Sequence, residues 1–435
     1  MRFADAVEAL DRRTNYERTG RLTDPTIERI AALCEMLDNP QRIQPAIHVT
    51  GTNGKSTTAL AITAILRAAG LSVGTYLSPH VDSIRERIRF DGEPVTEDDF
   101  VEGWRELAPF LDHFDGAGKQ ITWFEAATAL AFLVFADKAL DVAVLEVGMG
   151  GAWDATNVAD ARVAAITGIG GDHPQLGATT EAVAREKAGV VKAGAEVVAA
   201  TQRPEAMAVL RARAAEVGAT LATEPEDFEL TRLDVAVGGQ QVSLRIGGAR
   251  YDDVFLPLHG RELARDAVLG AAAAKAFLGR AGLSEEVLAD GLARLAVPGR
   301  VEVAARRPLV VLDGAHNPPA AEALAVAMRE SFAWDRLRLV VSIMADKDAP
   351  GVLAPLLGLA DEVVVTRNNS PRASDPEVLA AEVRARGLPV TIIPSVPDAV
   401  SAAITASEQS DAVLVSGSLY TVGDARPSLR SAPTG

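Results

Sequence analysis

The chain has 435 residues, 48% of them hydrophobic and 23% charged, a balance that suits a soluble protein of two or three packed domains. Its formal net charge of −16 excludes a general nucleic-acid binder, which needs a basic surface, so a site for an anionic substrate has to make its positive field locally. One cysteine, Cys34, rules out an internal disulfide and fits a reducing compartment.

The first residues, MRFADAVEALDRR, carry acids and lack an apolar core, so no secretory leader is expected. The opening 30–40 residues read as helical, with Asp24-Pro25 as the start of a second helix and Cys34 a small buried hydrophobe in the amphipathic run IERIAALCEML. Residues 46–57 read AIHVTGTNGKST: a short apolar strand, a glycine-bracketed turn, then Lys55, Ser56 and Thr57 opening a helix that ends at Gly70. Gly51 and Gly54 let Gly51, Thr52, Asn53 and Gly54 turn their N–H groups inward, and the helix offers its positive end to an anion. Lys55 supplies a point charge for the outer phosphates and Ser56 or Thr57 a hydroxyl for Mg²⁺. The loop is a variant, since the common phosphate loop would place glycine where this chain has Val49. It implies a nucleoside triphosphate site.

The apolar stretch 126–136 is about half of what a membrane span requires, so a cytoplasmic protein without a membrane partner is expected. VAVLEVG (142–148) and VAAIT (163–167) read as fully buried parallel strands, and residues 226–256 as a small antiparallel excursion. Helices at 264–279 and 284–295 lead to a linker at Pro298-Gly299. Beyond it, strands at 309–314, 337–345, 361–366, 389–394 and 412–416 alternate with helix-length intervals. The expected fold is α/β: a P-loop parallel-sheet ATPase domain over 1–296 with the antiparallel excursion, a Rossmann-like C-terminal domain over 297–424, and a disordered tail over 425–435.

Polar residues collect just past the strands, where open α/β sheets bind ligands. His48, His80, His173 and His316 are read as lying in loops beside other polar signals. LEVGMGGAWDATN puts Glu146 at a strand end, and TGIGGDH does the same for Asp172 and His173. Glu146 and His173 are expected to converge on a Mg²⁺ beside the triphosphate, an ion that needs few protein ligands. Asp313, His316 and Asn317 follow a second-domain strand, with Arg300 at the hinge and DK (346–347) and SPR (370–372) at the same edge, so the active site is expected between the domains.

Taken together, GTNGKST, LSPH…ERIR, TWFE, LEVGMGGAWDATN, GDH…LG, REKAGVVK, PGRVE, LDGAHNP, ADKD, SPR and GSLYTVG, in this order across residues 11–424, resemble the Mur ligase superfamily in its folylpolyglutamate synthase/dihydrofolate synthase branch. The short segment of about 45 residues before the loop agrees with that branch. The resemblance implies phosphoryl transfer from ATP to a substrate carboxylate, attack on the acyl phosphate by the amine of L-glutamate, and two Mg²⁺ ions. It assigns Lys55 and Ser56 to the phosphates and first metal, and Ser78, Glu146 and His173 to the second. Lys187 matches the lysine carbamylated in the family, Arg300 and Asp313 match nucleotide contacts, and His316 lies by the incoming glutamate; Ser418 also belongs to the substrate set. Thr122, Phe124, Asp154 and Ala155 match positions that hold a pterin-bearing substrate, dihydropteroate or a reduced folate. A monomer is implied.

Two departures stand out. Relatives of the branch usually carry His-Gln-x-x-Asn after the glycine matched by Gly260, whereas this chain has Glu262-Leu263-Ala264-Arg265-Asp266. An ionised Asp266 only accepts hydrogen bonds and would repel adenine N7, which predicts ATP binding weaker by roughly 1–3 kcal/mol. Gly168 replaces an asparagine or proline, and the segment after His173 is one residue short. These changes keep two other readings open: a ligase of the branch acting on a different carboxylate–amine pair, and a weakly active nucleotide-binding paralogue.

Overall fold

The computed structural model describes residues 1–20, 24–171 and 174–430. The phosphate-loop strand, Ala46–Thr50, lies at the centre of an eight-stranded sheet because all five of its residues are buried. Val142–Glu146 pairs with it in parallel on one side and Ala161–Ile166 on the other. Val73–Tyr76 follows outside Val142–Glu146, then the short antiparallel strands Ile88–Phe90 and Glu93–Pro94. Glu196–Ala199 and Thr220–Thr223 extend the other edge in parallel. Strand order therefore reverses around Ala46–Thr50, which opens a crevice at the carboxyl ends of the three central strands.

One face of this sheet is covered by Lys55–Ala68, Arg261–Leu278 and Glu285–Ala293. Gly270 lets the first two helices touch: a Cβ there would lie 2.7 Å from the Ala61 Cβ and 3.0 Å from the Thr58 carbonyl. The other face is covered by Trp123–Lys138, apolar on every side because it lies between the sheet and the helices Phe3–Asp11, Glu28–Met36 and Glu97–Gly116. The excursion is a three-stranded antiparallel sheet, Phe228–Ala236, Gly239–Ile246 and Ala249–Leu256, packed on the Arg261–Leu278 face.

The C-terminal sheet has six strands in the order Glu302–Arg306, Leu309–Leu312, Ala412–Ser416, Leu337–Val341, Glu362–Arg367 and Val390–Ser395. The last five are the expected parallel set, and Glu302–Arg306 adds an antiparallel edge. The two sheets are tied through the N-terminal segment. The Glu17 carboxylate pairs with the fully buried Arg87 at 2.6 Å, while its carbonyl accepts from Arg372, in the turn after the strand Glu362–Arg367, at 2.9 Å.

Three expectations need correction. The second substantial helix begins at Glu28, because Asp24 takes a left-handed backbone (φ 50°) that leaves Pro25 outside any helix. His48 lies within its strand, fully buried, not in a loop. Residues 425–430 continue the helix Leu419–Arg430 instead of forming a disordered tail, with Ala425 fully buried; residues 431–435 lie outside the described set. No helix among the described residues is long and apolar enough to cross a membrane.

The Gly270 contact yields a prediction. Gly270→Val must push the two helices apart, lowering unfolding free energy by about 1–3 kcal/mol in urea denaturation, with the loss expected even though valine is the better helix former.

Candidate active site

Gly51 (φ 143°) and Gly54 (φ 87°) take backbone conformations that side chains rarely adopt, and neither has room for one: a Cβ would collide with Thr167 Oγ1 at Gly51 and with the Asp266 carboxyl at Gly54. The loop is also bonded from behind. Thr167 Oγ1 donates to the Asn53 carbonyl at 2.6 Å, and Thr52 exchanges bonds with Gly168 and Gly170 at 2.9 Å. From the C-terminal side, Asn53 and Asn317 exchange amide bonds at 3.2 and 2.9 Å. Lys55 Nζ donates to the Gly51 and Thr52 carbonyls at 3.3 and 3.0 Å, which poises its charge over the loop. Thr57, two residues further along the helix, is buried and faces the neighbouring slot.

Glu146 ends the adjacent strand with 1% exposure, accepting from Ser56 Oγ at 2.9 Å and from the Ser78 N–H at 3.2 Å. Burial pushes its carboxyl up, against the pull of Lys55, so a cation is wanted there. Among the described residues no group of three or more His, Cys, Asp or Glu could hold a metal. The donor set of one carboxylate with the Ser56 hydroxyl nevertheless fits Mg²⁺, which keeps most of its ligands as water and phosphate oxygens. His173 and Asp172 lie outside the described residues. Lys187 is buried and donates to the Gly51 carbonyl at 2.6 Å, facing the back of the phosphate loop with Lys55 on a small shared cavity.

Three cavities adjoin at this point. The central one, about 290 Å³, lies between the sheets and is lined by Lys55, Ser56, Ser78, Glu146, His316 and Ser418. Lys347, Arg300 and Arg372 line it too, so a chain of strong negative charge gathers cations where anions must meet. Arg372 also holds Asp346.

A second pocket shares Tyr16 with the first and adds Thr122, Phe124, Trp153, Asp154 and Ala155. Thr122 caps the helix Trp123–Lys138, and its N–H and hydroxyl both donate to Glu125 at 2.8 Å. The Cζ end of the Phe124 ring lies against Gly148, where a Cβ would come within 2.4 Å of it. Asp154 is buried and accepts from the N–H groups of Met149 and Thr156 at 3.0 Å, so it is spent on shaping the glycine turn, although burial holds its carboxyl above the usual range. Ala155 offers little beyond a small buried wall. Tyr16, Arg29, Glu125 and Trp153 line this pocket too and were not assigned to it from the sequence, nor were Thr14, Pro25 and Thr26; Arg29 pairs with Glu125 at 3.1 Å across 96 residues, a contact that only folding creates.

A third cavity, about 100 Å³, shares Asn53, Gly54, Arg300 and His316 with the first and runs between apolar walls of Leu263, Leu324 and Ala327. Asp313 lines it, with both oxygens taken by the N–H groups of Val301 and Ala315 at 2.8 Å; burial raises its carboxyl against the opposing charge of Arg300. His316 bonds the Gly314 carbonyl at 3.0 Å. Asp266 lines it as well, beside Thr57, His259 and Glu262. Burial, helped by Glu262 and opposed by Arg265 and Arg300, pushes its carboxyl up to about 8.

The family model of the Mur ligase middle domain matches residues 49–274, and that of the Mur ligase glutamate ligase domain matches residues 299–419. The dihydrofolate synthase/folylpolyglutamate synthase of Mycobacterium tuberculosis is 40% identical over 93% of this chain and 90% of its own. The enzyme of the same name from Escherichia coli is 33% identical over 92% of this chain and 90% of its own. Among solved structures, the M. tuberculosis folylpolyglutamate synthase complexed with ADP superposes with a TM-score of 0.91 at 38% identity, covering 99% of both chains. E. coli FolC in complex with DHPP and ADP gives 0.87 at 30% identity, over 99% of this chain and 98% of that one.

His48 links the strand to the turn at 148–157, its Nε2 lying 2.7 Å from Thr156 Oγ1, itself bonded to Asp154. Burial, with Lys192 adding to it, pulls the His48 imidazole down to about 3, so the folded protein keeps it neutral. Below about pH 6.5 the unfolded chain binds a proton that the folded chain refuses, so stability falls as pH drops. His48→Gln is expected to remove about 2 kcal/mol of the stability difference between pH 7.5 and 5.0 measured by urea denaturation.

Proposed function

Because the chain belongs to the Mur ligase family, matching both its middle and its glutamate ligase domains, we propose that it is an ATP-dependent amide ligase that joins L-glutamate to dihydropteroate, to folate glutamates, or to both. The observation that carries this is the junction of three cavities: one running from the phosphate loop into an apolar slot, one lined with aromatic side chains, and a cation-rich one joining them between the two sheets. A nucleotide, a pterin-bearing acid and an amino acid can thus meet at one point. The reading takes residues 1–296 as the ATP-binding domain and 297–424 as the glutamate ligase domain, acting as a cytoplasmic monomer on small molecules only.

The phosphate loop amides of Gly51, Thr52, Asn53 and Gly54 and the Lys55 ammonium hold the ATP phosphates, while Arg300 and Asp313 hold the nucleoside. Ser56, Ser78, Glu146 and His173 are the residues that would hold two Mg²⁺ ions, and these supply charge neutralisation on the transferring phosphate. Thr122, Phe124, Asp154 and Ala155, with Tyr16, Arg29 and Trp153, place the pterin end so that the substrate carboxylate enters the central cavity. That carboxylate attacks the γ-phosphorus and ADP leaves, giving an acyl phosphate. His316 and Ser418 orient the incoming glutamate, whose amine attacks the acyl carbon. Phosphate departs, the amine loses a proton, and an amide remains. Close placement in a water-poor cavity keeps the acyl phosphate from hydrolysis. Lys187, beside the Gly51 carbonyl, is read as the carbamylated lysine, which would turn a buried cation into an anionic group next to the metal-holding residues.

Phosphate release with Mg-ATP tests this directly. Release that requires both L-glutamate and dihydropteroate is expected; release only with tetrahydrofolate would restrict the activity to chain extension, and none with either would overturn the folate reading. Glu146→Gln is expected to lower kcat by about 10²–10³-fold, as loss of a charge-stabilising group does, while leaving the thermal midpoint close to wild type.

A further inference from the structure

Arg426, two turns into the helix Leu419–Arg430, reaches from the C-terminal sheet to the first one. Its guanidinium donates to Glu302, on the edge strand of the C-terminal sheet, at 2.6 Å. It also donates to Asp82, in the loop after the strand Val73–Tyr76, at 3.1 Å. The Arg426, Glu302 and Asp82 side chains are 16%, 26% and 21% exposed, so the bonds are partly shielded from salt and solvent. Each carboxylate sits on a segment that enters the active site. Asp82 follows Ser78 by four residues, and Glu86 braces its turn by accepting from the N–H groups of Val81, Asp82 and Ser83 at 3.0, 3.1 and 3.0 Å. Ser78 in turn donates its N–H to Glu146 at 3.2 Å. Glu302 follows Arg300 by two residues, and its other oxygen accepts from the Gly299 N–H at 2.7 Å. The helix itself starts beside Ser418, and Leu419 fills the space over Gly299 and Gly314. Further along, Gly423 has no room for a side chain, because a Cβ would collide with the Val81 carbonyl. Val81 also packs on the apolar cluster that holds Val422 and Ala425.

We propose that Arg426 is a positioning residue for the ligase reaction: by bridging Asp82 and Glu302 it keeps Ser78, Arg300 and Ser418 in one register around the central cavity that all three line. Arg426 does not line that cavity itself, so it acts through the segments it holds. The acyl phosphate forms on the phosphate-loop side, whereas the glutamate amine comes from the side of His316 and Ser418. A gap between the two sides lets water attack in place of the amine. The products are then the original carboxylate, free phosphate and a proton, with no amide bond made. A guanidinium suits this post because its planar fork offers donors to two carboxylates at once, whereas an ammonium is a single point of charge. The inference rests on the ligase reading of the site.

The test measures phosphate released per amide formed by the full chain with Mg-ATP, L-glutamate and either dihydropteroate or tetrahydrofolate. Arg426→Met, which keeps an apolar stem, is expected to raise this ratio from about one to about five or more, because a misplaced amine slows amide formation more than phosphoryl transfer. Asp82→Asn is expected to give a similar ratio, and the double variant no more than either alone, since both remove the same bond. Arg426→Lys is expected to fall between wild type and Arg426→Met. A merely less stable protein has fewer active molecules, which slows both products equally and leaves the ratio at one. A ratio that stays near one in Arg426→Met, however slow the reaction, would therefore overturn the proposal. Should that variant not fold, Asp82→Asn decides by the same criterion. Wild-type protein that releases no phosphate with either acid would instead overturn the folate reading. X-ray scattering with Mg-ADP then decides: a larger radius of gyration in Arg426→Met supports the register role, and an unchanged one overturns it.

Discussion

The turn between Ala46–Thr50 and Lys55–Ala68 is fixed from every side, and the rest of the site depends on that fixation. Thr167 and the Gly168–Gly170 segment bond it from the next strand, Asn317 bonds it from the C-terminal sheet, and Asp266 lies on Gly54. An anion cradle works only if its N–H groups already point at the ligand, since each group that must reorient on binding subtracts from affinity. Because Asn53 is bonded to Asn317, the two sheets share this loop as a joint, and the central cavity keeps its shape only while both hold it.

Buried acids set the electrostatics. Glu146, Asp154 and Asp313 all have carboxyls raised by burial, yet each accepts bonds from backbone N–H groups or a serine hydroxyl. Donors of that kind hold the charged form, and a cation beside Glu146 would hold it further. Asp266 receives no such bonds, and loss of solvent with Glu262 beside it pushes its carboxyl up to about 8. The three buried carboxyls thus divide into shapers of turns (Asp154 and Asp313) and a cation seeker (Glu146), by environment alone.

The N-terminal segment adds a constraint of another kind. Glu17 reaches Arg87 with its side chain and Arg372 with its backbone, so a short helix ties the first sheet to the second. Burying Arg87 is tolerable only because Glu17, His80 and the face of Trp123 surround the guanidinium. The same segment carries Tyr16 into both the aromatic pocket and the central cavity.

Much of the protein could be read from local order in the chain. Continuous apolar runs are long enough to mark buried parallel strands, and the glycine-bracketed GTNGKST turn carries its own chemistry, so the phosphate loop, Glu146 and the alternation of the C-terminal sheet were legible. Four-residue strands such as Val73–Tyr76 and Thr220–Thr223 were not, because so short a run has no period to detect. What tertiary structure alone decided is who meets whom. Arg29 finds Glu125, Asn53 finds Asn317, and Arg87 is enclosed by residues far away in sequence. Protonation belongs to the same class: the letters say that Asp266 is an acid, whereas its charge depends on the solvent it loses and the acids it gains on folding.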